Sequence, residues 1–551
     1  MTRFDTLLPR PKGIIQATST YVLPACPRVR LPDPAMQHTV ALLPVMPVFV
    51  VDGLADVTVI LSTDQPDEGY HLTIGPNGIT IMVAGHGGLC MAIQTIRQLL
   101  PSDSLRVRVP QGLDLVLPCG EVTDAPAFGW RGALLDPARH FIPKTELLRQ
   151  IDALGLHKIN RLQLHLTDEQ GWRVQSLLFP RLTAVGAWRR RTQISHFLDE
   201  KVFDDTPHGG FYTQDDIREI CAYAADRGIT VVPEIELPGH TGALLAAYPE
   251  LGSPPDAPRE VLGTWGIHDT VVAPIDSTVD FFAKLFAELA PLFPGPWLHV
   301  GGDESLPDAW AKDARVQAEE QAKGLTTSAA IYADFMARIA RAVRATGKTM
   351  ITWDDSFATA DTTGKTDTSN AIMAWRGTDV GRRAALAGHD VILTPIMPTY
   401  FDYTMSTSGE ERLSIGGPVT LDDIADWTPV PETWSDAARA RVLGVQCQVW
   451  SEFIPEPRRI DYMLYPRLPV FADVAWTGQG HGMADTTPRL SAHMERLDAL
   501  GLNARPLDGP RPDQKAGPSR FAHFPLRPMA EVMAHHEEGA ELGVTPFGVS
   551  Q

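Results

Sequence analysis

The strongest constraint on the fold is an alternation of short apolar runs with helical segments, which begins near residue 130. Such alternation is typical of parallel strands, because a helix must return the chain to the starting edge of the sheet after each strand. Eight such units predict an α/β fold, a (β/α)8 TIM barrel. The candidate strands are residues 132–135, 159–166, 230–233, 298–301, 350–353, 371–375, 391–395 and 442–450.

Several segments of this region carry their own helix signals. Residues 144–156 place leucine and isoleucine side chains on one helical face. Residues 213–227 begin with Thr213 and Asp216, which are spaced as in a capping box. Residues 490–500 predict a helix that closes the barrel region.

The first 120 residues or so predict a separate, small α+β domain before the barrel. Strand-like runs at 56–62, 70–74 and 79–84 are followed by an amphipathic segment at 88–100, and the turn sequence GPNG at 75–78 predicts a hairpin.

We therefore divide the chain into an N-terminal domain (1–122), a barrel (123–505) and a C-terminal tail (506–551). The tail is expected to pack on the barrel or to be partly irregular, with one short helix at 529–536.

Charge and cysteine content exclude several classes of partner. The chain carries 48 Lys and Arg against 67 Asp and Glu, a net charge of −19, which repels nucleic acid and anionic membranes.

The N-terminus lacks the apolar stretch of a secretory signal, and no run approaches the ~18 apolar residues of a membrane helix, so we expect a cytoplasmic protein. No metal site is expected, because the cysteines lack disulfide-framework or zinc-ligand spacing: Cys26, Cys90, Cys119, Cys221 and Cys447.

Polar and aromatic side chains follow the predicted strands at their carboxyl ends, where a barrel of this type builds its active site. Carboxylates hydrogen-bond sugar hydroxyls, and indole rings cover the apolar face of a pyranose. The sequence therefore predicts a carbohydrate site. Its candidate residues are Arg139, Asp168, Glu236, His240, Asp303, Glu304, Trp353, Trp375, Tyr400, Asp402, Trp450 and Glu452.

Residues 299–304, HVGGDE, are the most informative of these strand ends. Two glycines bring the backbone close to the site, and two neighbouring carboxylates follow. Crowded carboxylates cannot both ionise easily, so the pKa of one of them is expected to rise. A raised carboxyl pKa suits a general acid that works near neutral pH.

Taken together, these segments resemble the family 20 glycoside hydrolases, the β-N-acetylhexosaminidases. The matching stretches lie in the family's order between residues 130 and 455, and the N-terminal module resembles the small domain that precedes the barrel in that family. The stretches are RGALLDPARHF (131–141), HLTDEQGWR (165–173), PGH (238–240), HVGGDE (299–304) and GVQCQVWSE (444–452).

The resemblance implies a role for three catalytic residues. Glu304 would protonate the glycosidic oxygen and then activate water. Asp303 would orient the 2-acetamido group of the substrate and stabilise the positive charge that develops on it. Tyr400 would hydrogen-bond the acetamido carbonyl from the other side.

The other matched positions would bind the sugar or support the acid. Asp168 and His240 would form a network behind Glu304, with Glu236 beside them. The family often has Asp where Glu236 stands, so the Glu236–His240 contact is expected to differ. The sugar-binding positions would be Trp353, Trp375 and Trp450 as walls, Arg139 on hydroxyls 3 and 4, and Asp402 and Glu452 on hydroxyls 4 and 6.

The implied reaction is substrate-assisted hydrolysis with retention, in which the substrate's own acetamido oxygen is the nucleophile. It needs no cofactor, and its partner would be a glycan or glycoside that ends in N-acetylhexosamine. Two alternatives stay open at this point: a conventional retaining glycosidase on the same barrel, and an inactive sugar-binding protein. The sequence leaves the oligomeric state and the choice between glucosamine and galactosamine open.

Overall fold

The computed structural model describes residues 3–255, 260–269, 271–363 and 367–515, with the backbone alone for residues 360–363. Its N-terminal part is a mixed seven-stranded sheet that packs against a buried helix. The strands are β1 (Gly13–Val22), β2 (Arg28–Arg30), β3 (Val48–Phe49), β4 (Val57–Leu61), β5 (Tyr70–Gly75), β6 (Gly78–Val83) and β7 (Val116–Asp124).

The sheet has the order β1-β7-β5-β6-β4-β2-β3. Helices α1 (Gln37–Val40) and α2 (His86–Leu99) complete this part, and α2 buries almost all of its side chains against β5, β6 and the barrel. The predicted hairpin and the predicted helix after it are confirmed. β1, β2, β3 and β7 were not predicted; β1 lies mostly exposed and lacks the apolar alternation that marks a half-buried strand.

The second part is a closed barrel of eight parallel strands, in the order β14-β15-β16-β17-β18-β19-β8-β9, so the predicted fold is confirmed. Two short ribbons, β10–β11 and β12–β13, lie outside the barrel sheet. From residue 130 on, the strands are β8 (Trp130–Leu135), β9 (Arg161–His165), β10 (Thr167–Asp168), β11 (Gly171–Trp172), β12 (Trp188–Arg189), β13 (His208–Gly209), β14 (Thr230–Leu237), β15 (Trp297–Gly301), β16 (Thr349–Trp353), β17 (Ala371–Ala374), β18 (Val391–Leu393) and β19 (Val442–Val449).

Helices cover the outer face of the barrel, and side chains of the strands themselves fill its interior, so the strands are buried on both faces. They are α3 (Lys144–Leu156), α4 (Arg181–Ala184), α5 (Gln214–Ala225), α6 (Gly242–Ala247), α7 (Asp276–Leu289), α8 (Ala314–Lys323), α9 (Ser328–Ala345), α10 (Asp355–Thr363), α11 (Thr378–Leu386), α12 (Ile396–Thr399), α13 (Leu421–Ala425), α14 (Asp436–Arg439), α15 (Pro457–Leu464), α16 (Arg467–Thr477) and α17 (Met483–Ala499). Within the described ranges, no helix is long and apolar enough to cross a membrane.

The helix predictions are confirmed, with differences at the ends. α3 has the predicted bounds, and the Thr213 side chain caps α5 by accepting from the Asp216 amide. The closing helix α17 begins seven residues before the predicted 490, because burial of Thr486 outweighs the weak helix propensity around Pro488. Residues 502–515 form turns, and the helix predicted at 529–536 lies outside the described residues.

The two parts meet at a buried polar cluster. Lys158 Nζ lies 2.9 Å from both Asp124 Oδ2 and the Tyr70 hydroxyl, and Trp476 Nε1 donates to Asp124 Oδ1 over 2.8 Å. Lys158 also lies 4.2 Å from the centroid of the Trp476 ring, a cation–π contact. These bonds fix the barrel to β7, which spans the predicted domain boundary at 122; the three-segment division stays a prediction.

Candidate active site

The polar strand ends converge on one cavity at the carboxyl end of the barrel. It encloses about 640 Å³ of free volume, part of which is continuous with solvent. Ten of the twelve candidate residues line it, and the other two, Asp168 and Glu236, are buried beneath them. The lining residues are Arg139, His165, His240, Asp303, Glu304, Trp353, Trp375, Ile396, Tyr400, Asp402, Tyr403, Ile415, Trp450 and Glu452.

The loop after β15 holds the two neighbouring acids in an unusual backbone conformation. Gly301 has φ +68°, Gly302 +97° and Glu304 +45°, and only glycine adopts such angles without strain. A Cβ on Gly301 would lie 1.6 Å from Glu236 Oε2. The Tyr332 hydroxyl donates to the Gly302 carbonyl from behind. Glycine is therefore needed at these two positions both for the positive φ angles and for the close packing beneath the acids.

His240 lies between the acids and the network behind them. Its Nε2 is 3.4 Å from Glu304 Oε2 and 3.7 Å from Asp303 Oδ2, and its Nδ1 is 3.7 Å from Asp168 Oδ1. Burial lowers the pKa of His240, but the charges of Asp168 and the neighbouring acids outweigh it and raise the pKa well above its ordinary value. A protonated His240 therefore faces both acids.

Asp303 has a pKa raised to about 7, chiefly by burial and further by the charges of Asp355 and Glu304. The sequence predicted a raised pKa from the crowding of two acids, but burial makes the larger contribution. Asp303 Oδ1 is buried without a hydrogen-bond partner among the described residues, so it is available to a bound molecule.

Beneath the cavity, His165 connects two buried carboxylates. Its Nε2 lies 2.8 Å from Asp168 Oδ2 and its Nδ1 lies 2.8 Å from Glu234 Oε2. Both ring nitrogens therefore donate, which agrees with a pKa raised to about 9 by Glu234 and Asp168 against the opposing effect of burial. Asp168 also lies 2.8 Å from Arg139 Nη2, so this network links the acid side of the cavity to the arginine side.

Glu236 lies in the same buried layer, beside His165. Its Oε1 lies 3.7 Å from His165 Nδ1, and its carboxyl shares a hydrogen bond with that of Glu234. Burial and the charge of Asp303 raise the pKa of Glu236 well above its ordinary value. A neutral Glu236 thus fills the space beneath Gly301.

Three tryptophans and Tyr400 form the walls. Trp353 Nε1 donates to Glu234 over 3.0 Å, and the Trp353 and Trp450 ring centroids lie 5.9 Å apart. The Tyr400 ring lies 6.4 Å from that of Trp450. Burial raises the pKa of Tyr400 well above its ordinary value, so its hydroxyl remains a donor.

At the far end of the cavity, Arg139 lies among acids. Its guanidinium is 3.1 Å from Asp136 and 3.9 Å from Glu452, and it covers the Trp450 ring at 5.1 Å. Burial raises the pKa of Asp402 well above its ordinary value, with the charge of Glu452 adding to it. This end offers both donors and acceptors for the hydroxyls of a sugar.

Two further acids beside the catalytic loop were not among the candidates. Asp355 Oδ2 accepts from Trp375 Nε1 over 3.0 Å, and its Oδ1 lies 2.5 Å from Arg376 Nη2 and 3.3 Å from the Glu304 amide. Asp354 accepts from the Arg376 amide. These residues follow β16 and β17, so their strand-end position was a usable signal. Glu234, which directly follows the predicted strand 230–233, offered the same signal and was not chosen either.

Among the described residues, three groups of acidic and histidine side chains place donor atoms within 4.8 Å of one another, as a metal site would. All three belong to the network just described, where Glu234 already accepts from Gln163, His165 and Trp353. The expectation of a metal-free site stays a prediction. The groups are His165, Glu234 and Glu236; Asp168, Glu169 and His240; and His240, Asp303 and Glu304.

Comparison with known proteins gives related sequences over most of the chain. A β-hexosaminidase of Porphyromonas gingivalis is 36% identical over 500 residues, which cover 88% of this chain and 61% of that protein. A β-hexosaminidase of Vibrio furnissii is 34% identical over 428 residues, or 76% of this chain and 67% of that protein. The chain thus spans about three fifths of the length of the first of these relatives.

Solved structures with folds similar to that of this chain include two hexosaminidases. The exo-β-N-acetylglucosaminidase of Vibrio harveyi, solved with N-acetylglucosamine, has a TM-score of 0.80 at 28% identity over 92% of this chain and 79% of its own. The N-acetyl-β-hexosaminidase of Streptomyces plicatus has a TM-score of 0.77 at 29% identity, over 92% of this chain and 98% of its own.

Family models match both parts of the molecule. The model "Glycosyl hydrolase family 20, catalytic domain" covers residues 128–479, and "Glycosyl hydrolase family 20, domain 2" covers residues 6–125. Together with the cavity of carboxylates and tryptophans described above, these matches show that the chain belongs to glycosyl hydrolase family 20.

Proposed function

We propose that this chain is an exo-acting β-N-acetylhexosaminidase, which removes terminal N-acetylglucosamine or N-acetylgalactosamine from a glycan or glycoside. The observation that carries the proposal is the shared cavity of Asp303 and Glu304, bridged by His240 and walled by tryptophans. The family membership of the chain and the names of its relatives support it.

The first step of the proposed reaction breaks the glycosidic bond. The acetamido oxygen of the bound sugar attacks the anomeric carbon while Glu304 donates a proton to the departing oxygen. The product on the enzyme is a cyclic oxazolinium ion, whose positive charge Asp303 stabilises as a carboxylate. Tyr400, which remains protonated, would donate to the acetamido oxygen and hold it in place.

In the second step, water attacks the anomeric carbon from the face that the leaving group vacated. Glu304, now a carboxylate, accepts a proton from that water, and the oxazolinium ring opens to restore the acetamido group. Because each step inverts the configuration at the anomeric carbon, the product keeps the configuration of the substrate. The protonated His240 favours the ionised form of both acids, so it would stabilise Glu304 after proton donation.

The arginine end of the cavity accounts for terminal cleavage. Arg139, Asp402 and Glu452 lie deep in the cavity, where burial leaves Asp402 Oδ1 without a partner among the described residues. The hydroxyls of a terminal sugar satisfy these groups, and we propose that a chain continuing past them is excluded.

Aryl glycosides with a 2-acetamido or a 2-hydroxy group distinguish the proposal from its alternatives. We expect hydrolysis of the 2-acetamido substrate and a rate for the 2-hydroxy substrate lower by at least about 10³-fold, since the internal nucleophile is missing. Similar rates on both would support a conventional retaining glycosidase. Binding of N-acetylglucosamine without any hydrolysis would support an inactive sugar-binding protein.

We propose that the protein is cytoplasmic, as the sequence favours. Fractionation of cells that express the natural gene, followed by immunoblotting, tests it. Recovery outside the cytoplasm would contradict it.

A further inference from the structure

A second cavity, of about 520 Å³, lies beside the first turn of α15 and is formed by side chains separate from the catalytic ones. It is close to the catalytic cavity along the chain: Ile415 and Glu452 line the catalytic cavity, whereas Arg412 and Glu456 line the second one. Its lining residues are Arg412, Glu456, Arg458, Arg459, Tyr462, Asn503, Asp513 and Gln514.

Arg459 is the distinctive side chain of this cavity. It is 4% exposed, and neither of its terminal nitrogens has a hydrogen-bond partner among the described residues. Its guanidinium covers the Tyr462 ring at 4.4 Å, which fixes the plane of the group. Four N–H donors are thus held in the wall of the cavity without an acceptor.

The other two arginines are paired. Arg412 Nη1 lies 3.4 Å from Glu456 Oε1 and its Nη2 donates to the Asp513 carbonyl over 3.1 Å. Arg458 Nη2 lies 3.6 Å from Asp513 Oδ2, and its side chain is 70% exposed. The two carboxylates that line the cavity are therefore engaged by Arg412 and Arg458. Arg459 interacts with Tyr462 and, electrostatically, with the buried Glu411, but among the described residues no carboxylate lies within ion-pair distance of its terminal nitrogens.

A buried guanidinium whose terminal nitrogens have no acceptor is energetically unfavourable, because the contact with Tyr462 and the charge of Glu411 only partly replace its lost hydration. Burial lowers the pKa of Arg459 to about 10, so the group is still charged at neutral pH. The helix α15 adds positive potential, since its N-cap Glu456 makes no side-chain cap bond. An anion would satisfy both features at once.

We propose that this cavity binds a small tetrahedral oxyanion, phosphate or sulfate, through the fork of Arg459, with Arg412 and Arg458 at the rim. Arg459 presents two parallel N–H groups, the geometry that recognises two oxygens of such an anion. The proposal concerns a site distinct from the catalytic one and does not depend on the reaction catalysed there.

Isothermal titration of the full chain with inorganic phosphate tests the proposal, at constant ionic strength and with saturating N-acetylglucosamine to occupy the catalytic cavity. We expect one site with a Kd of about 1 mM or tighter. Arg459→Gln should weaken binding by at least about tenfold, since the donor fork is lost. Arg218→Gln, an exposed arginine on α5 outside the cavity, is the matched control and should change Kd by less than about threefold.

A thermal melt gives a second measurement that does not depend on the variants. Phosphate should raise the Tm of the wild-type chain above that in chloride of equal ionic strength, because it binds the folded state. If Arg459→Gln does not fold, Arg459→Lys keeps the charge and should still weaken phosphate binding. The absence of binding and of a Tm shift in the wild type, or equal affinity in the Arg459 variants, would overturn the proposal.

Discussion

The junction between the two parts and the catalytic cavity both bury charged side chains, but they satisfy them differently. At the junction, the Lys158 ammonium and both Asp124 carboxylate oxygens have partners at 2.8–2.9 Å. In the cavity, Asp303 Oδ1, Asp402 Oδ1 and Arg139 Nε are buried without partners among the described residues. A buried charge whose polar atoms all have partners holds the fold together, whereas a group at a cavity wall with one polar atom left over can bind a ligand through that atom.

The comparison predicts that changes in the cavity act on the reaction and changes at the junction act on stability. The largest effect is expected for Glu304→Gln, which removes the proton donor but keeps the shape. For alkyl glycosides with poor leaving groups, kcat/KM should fall by roughly 10³-fold. Activated aryl glycosides, which need little protonation, should lose far less. Equal losses on both substrate types would remove Glu304 from the acid role.

At the junction, Lys158→Met should lower the free energy of unfolding by about 3 kcal/mol, because it leaves the buried Asp124 carboxylate without its charge partner. In the fraction that remains folded, kcat/KM should stay within about twofold of wild type. Denaturant unfolding and aryl glycoside assays measure the two quantities. The control is Lys284→Met, an exposed lysine on α7, which should change neither. A large loss of kcat/KM with normal stability would break the comparison.

Asp303→Asn should show the opposite balance: lower activity and higher stability at alkaline pH. Since the pKa of Asp303 is raised to about 7, the folded state holds this proton more tightly than the unfolded state, and folding is disfavoured where Asp303 must ionise. The variant should therefore gain up to about 4 kcal/mol at pH 8. That gain should shrink as the pH falls from 7 to 4. A pH-independent difference in urea unfolding would argue against an unpaired buried carboxyl.

The smallest effect is expected for Trp375→Phe. The change keeps a ring in the wall but removes the Nε1 donor to Asp355, whose other oxygen lies near the Glu304 amide. We expect kcat/KM to fall about fivefold, equivalent to about 1 kcal/mol, through looser positioning of the catalytic loop. Trp375→Ala, which removes the whole ring, should lower kcat/KM clearly more than Trp375→Phe. Equal losses in kcat/KM would mean that the ring itself contributes nothing beyond the Nε1 donor.

The barrel fold and the location of the candidate site could be predicted from the sequence, since barrel strands are short apolar runs that end in polar residues. That pattern located Asp303, Glu304, Tyr400 and Arg139 at one end of the barrel, where the structure brings them together. The family resemblance supplied their roles, which stay predictions until they are measured.

What the sequence did not reveal depends on contacts across the fold. Glu234 directly follows the predicted strand 230–233, but only the structure shows that β14 continues past it and that its carboxyl bonds to Trp353 and His165. The raised pKa of Asp303 follows chiefly from burial, a property that no local pattern contains. β1 was missed because its side chains face solvent, so tertiary pairing with β7 rather than apolar alternation determines it.

The most direct test of the central claim uses aryl N-acetylglucosaminides with one, two or three fluorines on the acetyl group. Fluorine withdraws electrons from the acetamido oxygen, so it weakens the proposed nucleophile without changing the leaving group. If the substrate's acetamido oxygen attacks while Asp303 and Glu304 assist, kcat/KM must fall steadily with each fluorine. A rate that does not depend on fluorine number would contradict substrate assistance in this cavity.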